Sequence, residues 1–249
     1  MNISVLGNGH LGYITAAGME CHHKVNVNPY KIASSDIIWF CHDIPVNDNG
    51  EPDNDYIKNE VTNLIKVNEL KPGTLFLISS QSRVGICKEL SVMFPQFDFA
   101  YSPENLRRGQ ALRTFLNPKR IIVGCNVKNK IQIFELLKPL NTEIIWMSVE
   151  SAEMVKHALN TFLALSIAYI NEIDKVCRVT GADSKDVALG LQSDERIGLL
   201  SYLKPGDPFP NETLGREVFN LTNLSKQYNL NLNLIPTILE SNEAHRNNR

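Results

Sequence analysis

The stretch ISVLGNGHLGYITAAGM, residues 3–19, carries the reading of the fold. Residues 3–6 are a short strand-like run, glycines follow at positions 7, 9 and 12, and a helical pattern runs from 11 to about 19. Strand, glycine turn and helix arrive in the order that a dinucleotide-binding unit requires. The first glycine permits the tight turn and the second lets backbone amides approach a pyrophosphate. The third lets helix and strand pack closely, which leaves the helix N-terminus facing the phosphates. Gly7, Asn8, Gly9, His10, Leu11 and Gly12 are therefore candidate cofactor contacts; the competing reading is a purely structural turn.

Working outward from that turn, a second strand spans 23–28. An acidic residue is expected near its end, about 20 positions after the first glycine, to accept hydrogen bonds from the adenosine ribose. Asn26 stands there. Its amide oxygen can accept such a bond, but it lacks the charge that repels a 2′-phosphate, so the choice between NAD and NADP stays open at this position. The chain then passes almost at once to a strand at 36–41, with no room for a second crossover helix and a third strand. The expected architecture is α/β: an abbreviated Rossmann-type doubly wound sheet, then a long central helix and a small all-helical domain. The turn-rich loop at 41–55 lies at the carboxyl end of a strand, where open α/β sheets bind ligands, and contributes Ile44 and Pro45 to the cofactor set.

A helix at 54–67, a strand at 74–79, a helix from 84 and a strand at 97–101 continue the rhythm. Ser79, Ser80, Gln81 and Ser82 stand at a strand end and either cap the following helix, the commoner outcome, or line the cleft. The segment 102–120 concentrates Glu104, Arg107, Arg108, Arg113, Lys119 and Arg120. Such a run is either a solvated face or a grip on an anionic substrate, with Arg107 and Arg108 as its candidate contacts. A strand at 120–124, a helix at 128–138 and a strand at 143–147 complete a first domain, 1–147.

Residues 148–181, SVESAEMVKHALNTFLALSIAYINEIDKVCRVTG, contain no proline and no glycine before Gly181. Ser148, Ser151, Glu150 and Glu153 mark a helix start; Lys175, Arg178 and Gly181 mark its end. About 30 residues make a spine of roughly 45 Å. Its apolar residues cover more than one stripe, which implies neighbours on two sides, at a domain joint or a dimer seam; a homodimer through the 151–180 helix is the expectation. Lys156 and Asn160 stand one turn apart on one face, able to address one ligand, with His157 and Thr161 on the adjoining face. The alternative is a solvated lysine and an asparagine at a helix contact. The second domain, 148–249, continues with a helix at 184–191, a Pro-Gly loop that reads as a lid or substrate contact, and two shorter helices.

With 249 residues, 43% of them hydrophobic, and a formal charge of −2, the chain has an ordinary globular composition. No basic tail offers a footprint for nucleic acid, and no apolar run approaches the ~18 residues of a membrane span. The N-terminus runs directly into a strand, without a basic region before an apolar one, so the expected location is the cytoplasm. Cys21, Cys41, Cys87, Cys125 and Cys177 show no metal-ligand spacing and read as reduced thiols, so no metal is expected.

Several segments, in order, resemble the UDP-glucose/GDP-mannose dehydrogenases: SVLGNGHLG, VNVNPYKI where that family tends to have VDVNPEKI, DIIWFCHDIPVNDNG, YSPENLRRGQAL with FLNPKRIIVG, ESAEMVKHALNTFLALSIAYINEI, and DERIG before a Pro-Gly loop. The resemblance covers almost the whole chain. It implies a Rossmann domain that binds NAD, a nucleotide-sugar substrate, polysaccharide biosynthesis, and a KxxxN pair, here Lys156 and Asn160, facing the sugar carbon that is oxidised. Glu104 falls at the family's first catalytic acidic position. The family's cysteine segment, GGSCFPKD, corresponds to the region NETLGREV, where CFPKD falls on TLGRE and puts Thr213 at the cysteine, Arg216 at the lysine and Glu217 at the aspartate. Thr213 and Arg216 are thus expected at the substrate, and Glu217 in catalysis.

Departures accompany the likeness. Arg108 replaces the second acidic residue, Gln81 replaces a threonine, and the sequence shows no counterpart of the third, nucleotide-binding domain. A thiol with a pKa of roughly 8.5 yields thiolate near neutrality, whereas the Thr213 hydroxyl needs a dedicated base. Thiohemiacetal chemistry is therefore expected to be absent, leaving one hydride transfer. The same KxxxN spacing occurs in the related 3-hydroxyacid dehydrogenases, which oxidise once. The competing expectation is an inactive homologue that binds a nucleotide or a partner.

Overall fold

The computed structural model describes residues 1–45, 52–104, 106 and 109–247. Their compact units are 1–45 with 52–156, and 157–247. The first is built on seven strands: β1 (Asn2–Leu6), β2 (Lys24–Asn26), β3 (Ile37–Phe40), β4 (Leu75–Ile78), β5 (Asp98–Tyr101), β6 (Ile121–Gly124) and β7 (Ile144–Met147). They lie in the order β2-β1-β3-β4-β5-β6-β7. All neighbours are parallel except β5 and β6, which meet antiparallel at Tyr101 and Gly124. Only the three-residue β2 lies outside β1, so this half of the sheet is abbreviated, as the short connection from 26 to 37 requires.

The helices of this unit are α1 (His10–Met19), α2 (Tyr56–Val67), α3 (Ile86–Met93), α4 (Ala111–Leu116) and α5 (Lys130–Leu137). Strand alternation sends side chains to both faces of the sheet. Ile38, Phe40, Phe76, Ile78, Phe99 and Tyr101 pack with Ile57, Val61, Ile86 and Leu90 of α2 and α3. Ile37, Trp39, Leu75, Leu77 and Val123 pack with Met19, Phe115, Ile133 and Leu136 of α1, α4 and α5. That is the doubly wound arrangement expected of fully apolar strands such as IIWF and LFLI.

The longest helix, α6 (Val149–Thr180), begins in the first unit and continues through the second. At 32 residues it is roughly 48 Å long. Ser148 Oγ accepts from the Ser151 amide at 3.2 Å, and Gly181, at φ +80°, closes the far end by donating to the Cys177 carbonyl at 2.9 Å. The second unit adds α7 (Ser184–Ser193), α8 (Arg216–Gln227) and α9 (Leu234–Asn247). Ala164, Ala168, Phe209, Val218 and Ile238 form its main core.

Some elements depart from expectation. The charge-rich stretch 102–120 contains α4, whose Phe115 is buried against Gly18 of α1; the flanking charges hide that short amphipathic turn. None of Ser79, Ser80, Gln81 and Ser82 caps α3, which starts two residues later than the sequence pattern suggests. The cap comes from Glu153 of α6, whose carboxylate accepts from the Gly85 amide at 2.6 Å and the Cys87 amide at 3.1 Å. Glu153, read as a charge at the start of its own helix, is fully buried as the anion of another. Ser79 and Ser102 instead stitch the strand ends: Trp39 Nε1 donates to Ser79 Oγ, which donates to the Ser102 carbonyl, and Ser102 Oγ donates to the Ile122 carbonyl.

The Pro-Gly loop is held, not loose. Asn242 grips Phe209 through both its amide and its carbonyl, Asn171 accepts from the Gly206 amide at 2.9 Å, and His245 Nε2 lies 2.8 Å from the Gly206 carbonyl.

Candidate functional site

The glycine turn is a bare cradle. A Cβ on Gly7 would stand 2.2 Å from the Cys41 carbonyl oxygen, and one on Gly12 would stand 2.2 Å from that of Gly7. The first glycine thus lets the chain end of β3 approach, and the third lets α1 pack onto the turn. Gly9 is the N-cap of α1, which has no side-chain cap and no acidic residue in its first turn. The leading amides of the helix are left for a ligand, with the positive end of the helix dipole behind them. These features fit the diphosphate of a dinucleotide. Asn8 and His10 are exposed beside the cradle, while Leu11 is half-buried and packs inward against the sheet.

The other cofactor candidates are more committed. Asn26 Oδ1 already accepts from the Asn28 amide at 3.1 Å, and its Nδ2 donates to Ser4 Oγ and to the carbonyls of Asn28 and Lys31. That amide fixes the turn after β2 and keeps only a second lone pair for a ribose hydroxyl. Ile44 is 7% exposed and belongs to the core; Pro45 is exposed. Beside them, His42 stacks on Phe40 at 4.4 Å and meets the Tyr56 hydroxyl at 3.2 Å. Burial holds this imidazole below its ordinary pKa, against the pull of Glu60 and Asp43.

Lys156 and Glu104 come together. The Lys156 ammonium donates to the Glu104 backbone carbonyl at 2.5 Å, 52 positions away in sequence, which anchors the loop after β5 to the second turn of α6. Asn160 follows one helical turn later and is half-buried. Arg107 and Arg108 lie outside the described residues. Within the second unit, Thr213 is half-buried in the π-helical turn Asn211–Gly215 that leads into α8. Glu217, on the first turn of α8, is fully buried and bonds through Oε2 to Nδ1 of His157, itself 2% exposed. Arg216 Nε lies 3.7 Å from the other carboxylate oxygen. His157, which drew attention in the sequence only as a neighbour of Lys156, is the residue that holds Glu217. Nothing in its local pattern names a partner 60 positions away.

None of the cysteines stands at residue 213. Burial pushes the Cys41, Cys87 and Cys125 thiols up, away from thiolate, and Cys21 is the exposed thiol. Among the described residues no group of three or more His, Cys, Asp or Glu side chains is placed to hold a metal, and no helix is long and apolar enough to cross a membrane.

Residues 23–141 match the NAD binding domain, and residues 150–244 the central domain, of one family model set. The chain belongs to the UDP-glucose/GDP-mannose dehydrogenase family. Its cofactor is NAD. Over 229 residues it is 32% identical to UDP-glucose 6-dehydrogenase TuaD of Bacillus subtilis, an alignment that takes in 88% of this chain and 48% of that one. A UDP-glucose 6-dehydrogenase of Rickettsia conorii is 27% identical over 229 residues, 90% of this chain and 52% of its own length. The chain thus spans about half the length of the curated relatives it matches. The fold is shared with a UDP-glucose dehydrogenase from Pyrobaculum islandicum, at a TM-score of 0.88 and 22% identity over 98% of this chain and 68% of the other. It is also shared with a Mycobacterium tuberculosis 3-hydroxyisobutyrate dehydrogenase, at a TM-score of 0.74 and 14% identity over 99% and 92%.

Proposed function

We propose that this family member is an NAD-dependent dehydrogenase that oxidises an alcohol of a nucleotide sugar once. The observation that carries the reading is the bond from Lys156 to the Glu104 carbonyl. It ties a cation to the backbone of the loop segment that bears Glu104, in the unit that carries the glycine cradle. In this reading residues 1–147 serve the cofactor, and 148–249 serve the substrate and self-association.

Removing hydride from an alcohol demands that the hydroxyl lose its proton as the carbon loses its hydride. Bound NAD supplies the hydride acceptor. The Lys156 ammonium lies where negative charge develops on the substrate oxygen, and the Asn160 amide donates a second hydrogen bond to it. The Glu104 carboxylate takes the hydroxyl proton, directly or through a water. Arg107, Arg108, Thr213 and Arg216 address the anionic nucleotide sugar. Glu217, buried and held by His157, is assigned to positioning Arg216 at the start of α8 and the π-helical turn before it that bears Thr213. With Thr213 in place of a thiol and the Cys41, Cys87 and Cys125 thiols kept protonated by burial, a covalent aldehyde adduct has no nucleophile at this position. The oxidation then stops after one hydride.

Replacing Lys156 by alanine tests the assignment. Turnover falls at least a hundredfold with NAD affinity intact; an unchanged rate would sink it. A second reading, a nucleotide-binding homologue without activity, is favoured by the burial of Glu217 away from solvent, and it predicts NAD binding with no turnover on any nucleotide sugar.

The chain is further proposed to form a homodimer through α6. Phe162, Tyr169 and Val176 recur at seven-residue spacing on that helix and are 62%, 46% and 55% exposed. A 28 kDa species in light scattering would contradict this.

A further inference from the structure

The segment that leaves β3 lies directly against the glycine cradle at two points. The Cys41 carbonyl abuts Gly7, and the Asp43 carboxylate abuts Gly9: a Cβ on Gly9 would stand 1.8 Å from Asp43 Oδ2 and 3.3 Å from Oδ1. Cys41 is buried and fixed in the sheet, its amide donating to the Leu6 carbonyl at 2.7 Å. Two residues on from that anchored backbone, the Asp43 side chain meets the cradle at Gly9. Position 43 is the acidic neighbour of a helix end that has no cap and no acid of its own. The chain thus places an anion against the middle glycine of the turn.

We infer that Asp43 is an internal competitor for the diphosphate and sets the affinity of the cradle for dinucleotides. This inference rests on the reading that the cradle takes NAD. In the free protein the Asp43 carboxylate stands against Gly9, the N-cap of α1, at the positive end of that helix. A dinucleotide meets that carboxylate at the approach to Gly9, so binding displaces it and works against the repulsion between like charges. The cost falls on ligands that carry a diphosphate and spares a nucleoside without one. Asp43 is thus a specificity-determining residue, which holds NAD affinity below what the bare glycine turn would give.

The test is calorimetric titration of the purified chain and its Asp43→Asn and Asp43→Gly variants with NAD, and separately with adenosine, at 0.1 M salt. Two unit charges a few ångströms apart near a protein surface, partly screened, correspond to roughly a tenfold change in dissociation constant. The expected result is NAD binding about tenfold tighter in Asp43→Asn, at least as tight in Asp43→Gly, and adenosine binding equal in all three. NAD binding that is unchanged or weaker in both variants overturns the inference while leaving the cofactor reading intact. Absence of NAD binding in all three proteins at millimolar concentrations overturns both. Binding by the variants alone supports the inference in its strongest form.

Discussion

Replacing Glu153 by alanine removes an anion that holds two elements of the nucleotide unit together. Its two oxygens accept from the Gly85 and Cys87 amides at 2.6 and 3.1 Å, and the side chain is fully buried. Gly85, at φ +93°, adopts the left-handed conformation that starts α3. Each bond to a charged acceptor contributes about 1.5–3 kcal/mol, and each buried amide left without a partner costs a further 1–3 kcal/mol. Burial of the carboxylate works the other way: it pushes the Glu153 pKa up, and the two amides only partly restore it. The net expectation is a loss of about 3 kcal/mol. Urea unfolding followed by tryptophan fluorescence reads this unit specifically, because Trp39 and Trp146, the chain's two tryptophans, both belong to it. The sign with pH is also set. An acid whose pKa is raised on folding adds stability that is full below its unfolded value and is lost as pH rises through the folded one. The wild-type advantage over Glu153→Ala is therefore widest in mild acid and narrows above the ordinary glutamate range. A loss under about 1 kcal/mol, or an advantage that grows with pH, would refute the capping argument.

Other consequences follow from the same packing. His157→Ala removes the imidazole partner of the buried Glu217 carboxylate, which keeps Arg216 3.7 Å away, and lowers stability by about 1–3 kcal/mol, read by circular dichroism during urea unfolding. Removing both residues costs less than the sum of the single changes, and strict additivity would deny the pair. A thiol reagent on the native chain titrates one fast cysteine, Cys21, because the other four are buried; two or more fast thiols would contradict that burial. Gly12→Ala drives a Cβ into the Gly7 backbone, where no side chain can yield, and costs roughly 1–3 kcal/mol together with NAD binding; a protein of wild-type stability would show that α1 does not rest on the turn.

Much of the frame was legible because it is encoded locally. Glycines 7, 9 and 12 announce the turn, the apolar strands announce a sheet covered on both faces, and residues 148–181 announce a helix whose caps at Ser148 and Gly181 are visible in the sequence. What escaped depends on partners distant in the chain. Glu153 reads as a first-turn charge until α3 is brought to it, and His157 acquires its meaning only from Glu217, 60 residues later. The antiparallel meeting of β5 with β6 leaves no mark on four-residue strands that are apolar whichever way they run. Asp43 is one residue in a polar turn until the fold lays that turn against Gly9. Of the candidate site, the one-turn spacing of Lys156 and Asn160 was legible; the bond from Lys156 to the Glu104 carbonyl, 52 positions away, was not.

The most direct test of the account is the number of NADH molecules formed per nucleotide sugar consumed, with purified protein, NAD, UDP-glucose and a small panel of related nucleotide sugars. The account predicts one. Two would show that the aldehyde is carried on to the acid without a cysteine at position 213, and none across the panel would contradict the assignment of Lys156, Asn160 and Glu104 to hydride transfer.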